Sequence, residues 1–331
     1  MYRFLTIFIL LTNTFLAQSQ SGKKITIFFT NDLHSRVTGY APESAYSPLS
    51  ANNDSTSGGF ARIASIIKSE KSSTDDIVFT ADAGDFLMGT LFQSLETTTG
   101  FQLQLMKKMG YDVVAIGNHE FDYGPGKLSE IIASASEGEI PAILLSNAAF
   151  SKKDTADDRL ANLFDDNVIG RKYIIERGGI RAGFFSLLGK VADDNAAFAP
   201  PVTFDSQVAT ARRMVKELTE EKCDLIICLS HSGVIAESDG KWGGEDVELA
   251  AKVKGIDVII SGHTHTILDK PVIVNSVPVV QTGEYGRYVG KLSFTLNDGK
   301  VKVENYELVP VDDKITGDKA INDLIEQQKK L

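Results

Sequence analysis

All five histidines of this 331-residue chain lie in polar segments that follow runs of apolar residues. "IDVIISGHTH" (256–265) carries two of them, and one each lies in "ITIFFTNDLH" (25–34), "YDVVAIGNHE" (111–120) and "CDLIICLSHSG" (223–233). A fifth segment, "DIVFTADAGD" (76–85), ends in acidic residues. Taken singly, each could be ordinary turn chemistry, in which Asn, Asp and Gly end a strand. Because chance does not readily place every histidine this way, the pattern predicts one shared metal or catalytic site.

The polar segments supply carboxylates, imidazoles and one amide, and no thiolate. Mixed nitrogen and oxygen donors suit Mn²⁺, Zn²⁺, Fe²⁺ or Co²⁺ and argue against a structural zinc site built from cysteines. Their number exceeds what one ion needs, and it suits two divalent ions that share a bridging carboxylate. The candidate ligands are Asp32, His34, Asp85, Asn118, His231, His263 and His265.

Side-chain period supports the same expectation. In an extended segment, residues two apart point to one side, so His263 and His265 form one pair and Asp32 and His34 another. Each pair could therefore address one bimetal centre. Two ions roughly 3.5–4 Å apart activate a bridging water and stabilise the charge that develops during phosphoester hydrolysis.

The apolar stretches that precede the polar segments predict the strands that must position these residues. Unbroken stretches rich in Val, Ile and Phe are typical of strands covered on both faces. Helix-period segments between several of them, such as "SQVATARRMVKELTEEK", predict α/β layers with the helices outside. "YIIERGGIRAGFFSLLG" predicts a hairpin, so the sheet should be mixed. In such sheets, ligands bind outside the carboxyl ends of the strands, where the five polar segments lie.

Two further stretches stand apart. Residues 38–58, "TGYAPESAYSPLSANNDSTSG", predict a long surface loop beside the first polar segment. We favour a flexible insertion there over a lid on the site. The stretch "GDKAINDLIEQQKKL" predicts a helix with Ile321, Leu324 and Ile325 on one face.

Composition narrows the class of protein. A content of 43% hydrophobic and 24% charged residues is ordinary for a soluble globular chain. The net charge of −10 argues against binding to a nucleic-acid polymer or an anionic membrane surface. The two cysteines, five residues apart, do not make a disulfide scaffold.

The first residues predict a secretory signal peptide, residues 1–21. Arg3 supplies the positive end, an apolar stretch runs to Leu16, and Ala17 and Ser19 suit a cleavage site. The apolar stretch is short for a membrane anchor, so we expect no stable membrane insertion after cleavage. The expected location is periplasmic or secreted.

The motifs resemble those of a known family. "NDLH", "AGD", "GNHEFD", "SHSG" and "GHTH" resemble, in this order, the signature blocks of the calcineurin-like metallophosphoesterases. "TNDLHS", "GNHEFDYG" and "QTGEYGRYVG" resemble the N-terminal catalytic domain of bacterial 5′-nucleotidases and UDP-sugar hydrolases. The resemblance implies a four-layered α/β/β/α fold with two metals between the central sheets. It implies a catalytic domain at 22–310 and a linker-like helix at 311–331.

By motif position, the resemblance also assigns roles. One metal would be held by Asp32, His34 and His265, the other by Asn118, His231 and His263, with Asp85 bridging them. His119 would not be a ligand. It would stabilise the transition state or protonate the leaving group, with Asp122 orienting its ring. An imidazole three residues from a carboxylate can form such a dyad in a tight turn, although Asp122 could instead cap the turn.

The expected function is therefore a dinuclear, metal-dependent phosphohydrolase that resembles 5′-nucleotidases. It would cleave nucleoside phosphates or related phosphomonoesters through a metal-bridging hydroxide. A UDP-sugar or 2′,3′-cyclic-nucleotide phosphodiesterase is the alternative. A non-catalytic binding module is disfavoured because every ligand position and His119 are filled. The resemblance does not include the second, substrate-binding domain of full nucleotidases, so we expect either a separate chain that supplies it or a preference for simpler phosphoesters.

Overall fold

The structure is a computed structural model that describes residues 22–297 and 299–331. The predicted signal peptide, residues 1–21, lies outside the described residues. The described strands are β1 Lys23–Thr30, β2 Ile77–Asp82, β3 Val113–Ala115, β4 Ala142–Leu144, β5 Ala148–Ala149, β6 Ile169–Gly170, β7 Lys172–Arg177, β8 Ile180–Leu188, β9 Thr203–Phe204, β10 Leu225–His231, β11 Ile235–Ala236, β12 Trp242–Gly243, β13 Val258–Ser261, β14 Val272–Val274, β15 Val277–Val280, β16 Tyr288–Asn297 and β17 Lys300–Pro310. The described α-helices are α1 Phe60–Ser72, α2 Gln93–Thr99, α3 Phe101–Met109, α4 Gly124–Ala135, α5 Asp158–Asp165, α6 Lys190–Asn195, α7 Gln207–Glu220, α8 Glu245–Lys252 and α9 Lys319–Gln328.

Two mixed sheets carry the fold. The seven-stranded sheet has the order β17-β16-β1-β2-β3-β4-β6, with β1, β2, β3, β4 and β6 parallel and β16 and β17 antiparallel to their neighbours. The six-stranded sheet has the order β14-β15-β13-β10-β8-β7, with β8, β10, β13 and β15 parallel. Its edge strands β7 and β14 are antiparallel, and β7 and β8 form the predicted hairpin. The parallel strands bring the polar segments to one edge.

Alternating side chains show why these runs form buried strands. In β1, Ile25, Ile27 and Phe29 face a core that also contains Leu225 from β10 of the other sheet. Phe28, between them, faces the helices that cover the outside of the seven-stranded sheet. With apolar residues on both faces, β1 is stabilised only between two layers.

The layers follow from three buried clusters. One lies between the two sheets, one joins the seven-stranded sheet to helices including α1, α3, α4 and α9, and one joins the six-stranded sheet to α7 and α8. This arrangement confirms the predicted α/β/β/α fold.

Helix α9 belongs to the outer helical layer. Asp318 caps it by accepting a hydrogen bond from the Ile321 backbone N–H at 2.9 Å. Ile321 and Ile325 are each 1% exposed and pack into the same cluster as α1 and α3. The helix is therefore packed against the domain over its apolar face. None of the helices in the described ranges is long and apolar enough to cross a membrane.

Candidate metal centre

The candidate ligands lie where the two sheets end on one side of the molecule. Each follows or ends a central parallel strand, and both sheets contribute. Asp32 and His34 follow β1, Asp85 follows β2, Asn118 follows β3, His231 ends β10, and His263 and His265 follow β13. The fold therefore brings all seven residues together, as the positions of the strand ends predicted.

A first group contains Asp32, His34 and His265, whose ligand atoms all lie within 4.8 Å of one another. The Nε2 atoms of His34 and His265 are 3.0 Å apart. Asp32 Oδ1 lies 3.4 Å from Nε2 of His265 and 3.9 Å from Nε2 of His34. Three donors thus face one small volume.

A second group contains Asp85, His231 and His263, also within 4.8 Å. The Asn118 side-chain oxygen joins it, 3.2 Å from Nε2 of His231 and 3.0 Å from Nδ1 of His263. The groups adjoin, because His231 Nε2 is 4.0 Å from Asp32 Oδ1. Asp85 also lies within 4.8 Å of His34 and His119, so its carboxylate faces both groups.

The donor set fits a cation. The Nδ1 of His231 lies 2.9 Å from the Ala83 carbonyl oxygen, to which an N–H at Nδ1 donates. The lone pair of Nε2 would then face two oxygens, Asp85 Oδ2 at 2.9 Å and Asn118 Oδ1 at 3.2 Å. That arrangement is repulsive unless Nε2 carries a proton or a cation lies among the three atoms. An imidazole held through its other nitrogen by a backbone carbonyl is the usual setting of a metal-binding histidine.

Electrostatics divide the histidines into two kinds. Burial lowers the pKa of His231, but Asp85 outweighs burial and raises it to about 10. Burial and the neighbouring His231 lower the pKa of His263 to about 4. Burial also lowers the pKa of His34. The neutral imidazoles that metal binding needs are thus favoured at His34 and His263 even in the protein alone.

The backbone at the ligands differs from the extended form expected from sequence. Strands β1 and β13 end before the ligand pairs, and Asp32, His34, Asp85, His263 and His265 have φ between 49° and 76°. This left-handed conformation is uncommon for residues other than Gly. The expected extended backbone is therefore wrong at these residues, although His263 and His265 both still reach the candidate centre. His263 faces Asn118 in the second group, while His265 faces Asp32 in the first.

His119 and Asp122 form a dyad at the rim of the centre. A short 3-10 turn at His119–Phe121 brings Nδ1 of His119 to 2.7 Å from Asp122 Oδ2. This hydrogen bond raises the pKa of His119 to about 9. The His119 side chain is 40% exposed, whereas that of His231 is fully buried. His119 is therefore open to a substrate, and its backbone N–H donates to Asp85 Oδ1 at 2.8 Å.

Two residues that hold the site in place were not singled out from the sequence. Glu120 is buried, and its carboxylate accepts hydrogen bonds from the backbone N–H groups of Asp85, Leu87 and Gly117 at 2.6–3.0 Å. It ties the segment after β2 to the segment after β3. Within "GNHEFD", Glu120 is the one ionisable residue to which the resemblance assigned no role, and this was the available signal.

Asn31 performs the same task between β1 and the segment after β15. Its side-chain amide donates to Asp32 Oδ2 and to the Gly283 carbonyl oxygen, both at 2.6 Å. Its side-chain oxygen accepts from the N–H and hydroxyl of Thr282 at 2.8 and 2.7 Å. These four hydrogen bonds use both N–H donors and both lone pairs of the Asn31 side-chain amide. Asn31 therefore holds the Asp32 carboxylate in a fixed orientation.

The class of protein now follows from fold, site and sequence together. The model of the calcineurin-like phosphoesterase family matches residues 25–266. The chain belongs to this family of metal-dependent hydrolases, as its motifs and layers predicted.

Within the family, its relatives are nucleotide-processing proteins by name. The chain is 32% identical over 260 residues to the trifunctional nucleotide phosphoesterase protein YfkN of Bacillus subtilis, covering 70% of this chain and 17% of that protein. It is 28% identical over 294 residues to a snake venom 5′-nucleotidase of Gloydius brevicauda, covering 83% of this chain and 46% of that protein. The chain thus spans less than half the length of either relative.

Solved structures share the fold. The 5′-nucleotidase precursor of Thermus thermophilus superposes with a TM-score of 0.75 at 24% identity, covering 93% of this chain and 58% of that chain. The calcineurin-like phosphoesterase YfkN of Bacillus subtilis superposes with a TM-score of 0.70 at 21% identity, covering 93% of this chain and 97% of that chain. These similarities establish the fold.

Proposed function

We propose that this chain is a dinuclear, metal-dependent phosphohydrolase that cleaves nucleoside phosphates or related phosphomonoesters. One observation carries the proposal. Two adjoining groups of nitrogen and oxygen donors, each with ligand atoms within 4.8 Å, lie beside the His119–Asp122 dyad, and Asp85 of the second group also lies within 4.8 Å of His34 in the first. A metal centre with a proton donor at its rim suits hydrolysis of a phosphate ester.

Each of the two donor groups would hold one metal ion. Asp32, His34 and His265 would hold one divalent ion, and Asn118, His231 and His263 the other, with Asp85 between them. These donors suit Mn²⁺, Zn²⁺, Fe²⁺ or Co²⁺. When bound, the ions would supply positive charge at the phosphoryl oxygens and lower the pKa of a coordinated water.

The dyad would serve the leaving group. In hydrolysis, a water oxygen bonds to phosphorus, the ester P–O bond breaks, and the leaving oxygen needs a proton. His119 donates through Nδ1 to Asp122, which leaves Nε2 as the atom that can give this proton. The Asp85 carboxylate accepts the His119 backbone N–H, so it sets the distance between the proton donor and the metal groups.

The names of relatives support a nucleotide substrate. They include 5′-nucleotidases, apyrases and a nucleotide phosphoesterase. The second candidate is a phosphodiesterase of UDP-sugars or 2′,3′-cyclic nucleotides, because the word phosphoesterase covers both monoesters and diesters. We further propose export through residues 1–21 to the periplasm or the medium.

A substrate panel tests the proposal. Purified protein is loaded in turn with Mn²⁺, Zn²⁺, Fe²⁺ and Co²⁺, and the hydrolysis products of AMP, UDP-glucose, 2′,3′-cyclic AMP and an aryl phosphate are separated and quantified by chromatography. We expect turnover of AMP and the aryl phosphate that disappears in Asp85→Ala together with bound metal. Turnover of UDP-glucose or the cyclic nucleotide alone would instead select the phosphodiesterase. No turnover of any of the four by protein that holds two ions would refute the proposal.

A further inference from the structure

A cavity of about 870 Å³ opens beside the candidate metal centre. Two of its lining residues, Gly89 and Thr90, pack against the segment that carries His34. At Gly89, an added Cβ would lie 2.7 Å from the His34 carbonyl oxygen, and the Thr90 hydroxyl donates to the Ser35 carbonyl oxygen at 2.7 Å. Tyr123, on another wall, directly follows the dyad residue Asp122. The cavity therefore lies next to the backbone of the segment that carries His34, and Tyr123 links it to the segment that carries the dyad.

The lining combines aromatic, polar and basic side chains. Aromatic rings come from Tyr46, Phe92 and Tyr123, an amide from Gln93, and a guanidinium from Arg36. The volume lies within the range of small-molecule sites, which are mostly apolar with a few placed polar groups. Flat aromatic ligands are favoured by such walls, since rings stack or meet edge to face.

Two lining side chains carry polar atoms that lack partners within the described part of the chain. Gln93 is 3% exposed, and its side-chain oxygen accepts no hydrogen bond. The Nε of Arg36 is likewise buried and donates to no acceptor. Buried polar atoms are paired in most native structures, so unpaired ones at a cavity wall point to a missing partner.

Arg36 lies between the cavity and the metal centre. Its guanidinium is 5.0 Å from the centre of the Tyr285 ring and 5.4 Å from that of Tyr40. On its other side, the Tyr285 ring is 5.5 Å from the His34 ring and 5.8 Å from the His265 ring. A positive charge thus lies at the cavity wall, separated from the two histidines by the Tyr285 ring, where it favours a ligand that carries phosphate.

We propose that this cavity, the base pocket, holds the nucleobase of a nucleoside monophosphate whose phosphate lies at the metal centre. The inference rests on the proposed function and deepens it, because the chain would then supply base recognition by itself. Tyr123 and Phe92 offer ring faces to the base, Gln93 offers an amide to its edge, and Arg36 lies on the phosphate side.

The opposite wall is preorganised. It comes from the insertion at 38–58, which contributes Tyr46. The Tyr46 ring packs on the buried Arg62, whose guanidinium carbon is 4.9 Å from the ring centre. Farther along, the Ser55 N–H donates to Asp313 Oδ2 and the Asn52 N–H to the Asp313 carbonyl oxygen, both at 2.8 Å. A wall held in this way loses little entropy when a ligand binds.

The test narrows the pocket from two sides. Ser44→Trp and Ser94→Trp place an indole on opposite walls at exposed positions, and Ser47→Trp is the matched control on the same insertion, outside the lining. For each metal-loaded protein, kcat/KM is measured for 5′-AMP and for ribose 5-phosphate, which lacks the base. Binding of adenosine is measured by saturation-transfer NMR, which needs no hydrolysis.

We expect the ratio of kcat/KM for 5′-AMP over ribose 5-phosphate to fall about tenfold in one or both pocket variants and to stay unchanged in Ser47→Trp. Adenosine signals should weaken in parallel. If the wild type hydrolyses neither ester yet binds adenosine, and a pocket variant weakens that binding, the pocket stands and the proposed hydrolysis fails. Equal ratios and equal adenosine binding in all three folded variants would overturn the base pocket.

Discussion

Gly117 provides a sharp test of the bridging carboxylate. An added Cβ at Gly117 would lie 2.3 Å from Asp85 Oδ1 and 2.9 Å from its Cγ. Ordinary carbon–oxygen contacts are about 3.3 Å, so Gly117→Ala requires the Asp85 carboxylate to retreat by about 1 Å. The backbone at Gly117 itself does not need a glycine, because its φ lies outside the left-handed region. Because the added Cβ would also lie 2.7 Å from the Asp85 backbone nitrogen, the substitution displaces Asp85 as a whole, both its backbone and its carboxylate.

The expected effects differ in size. Misplacement of a reacting group by about 1 Å costs roughly 10²-fold in rate, and a displaced ligand shell costs about 10–100-fold in metal affinity. Stability should fall by about 1–3 kcal/mol, as for other overpacked sites. Activity and metal content should thus fall far more than stability does.

The assay compares Gly117→Ala with Gly126→Ala. Gly126 lies in α4, where an added Cβ meets only one atom within 4 Å, the Ala156 carbonyl oxygen at 3.8 Å. That control should keep its activity and gain up to about 1 kcal/mol. Bound metal is measured by mass spectrometry after buffer exchange, turnover with an aryl phosphate, and stability by urea unfolding. Two bound ions and turnover within twofold of the control would refute the placement of Asp85 between the metals.

Three further predictions address the dyad, the tail helix and a buried acid. His119→Ala should keep both metals and lose roughly 10²–10⁴-fold in kcat, measured beside metal content; full activity would remove the dyad from the reaction. Ile325→Ala should lower the free energy of unfolding by about 2–5 kcal/mol, because α9 packs into the core; a change no larger than that of exposed Leu331→Ala would contradict this. Burial raises the pKa of Glu96 from 4.5 to about 8, so its folded form holds a proton that the unfolded chain releases. Wild-type stability should therefore fall by a few kcal/mol between about pH 5 and 8 relative to Glu96→Gln, and parallel urea-unfolding profiles of the two proteins would contradict that pKa.

Sequence alone predicted the convergence of the ligands, because a parallel strand fixes where its carboxyl end lies. His231 illustrates this, since it ends β10 at the sheet edge beside β13. The division of the ligands into two groups came only from the family resemblance, and the backbone that carries them was not predicted. His263 and His265 lie beyond the strand in left-handed backbone, and a period of two holds only in extended chain. Glu120 and Asn31 escaped notice because their importance comes from long-range hydrogen bonds to backbone groups.

Backbone hydrogen bonds between the ligand segments stabilise their strained, left-handed conformation. Residues other than Gly with positive φ cost about 1–3 kcal/mol each unless the surroundings stabilise them. Here the segments after β1 and β2 form backbone hydrogen bonds with each other. The Asp32 N–H donates to the Gly84 carbonyl oxygen and the His34 N–H to that of Asp85, both at 2.9 Å, and the Tyr285 N–H donates to that of Asp32 at 2.7 Å.

These hydrogen bonds explain how the ligands keep their positions although most of them lie outside regular strands. Four of the left-handed ligands are held by a neighbouring segment rather than by their own strand, namely Asp32, His34, Asp85 and His263. Asp32 is further fixed from the second sheet, because its carboxylate accepts the His263 N–H at 3.0 and 3.1 Å. A change in any one segment should consequently reach the others, so the metal centre is expected to assemble or fail as a unit, with both ions lost together rather than singly.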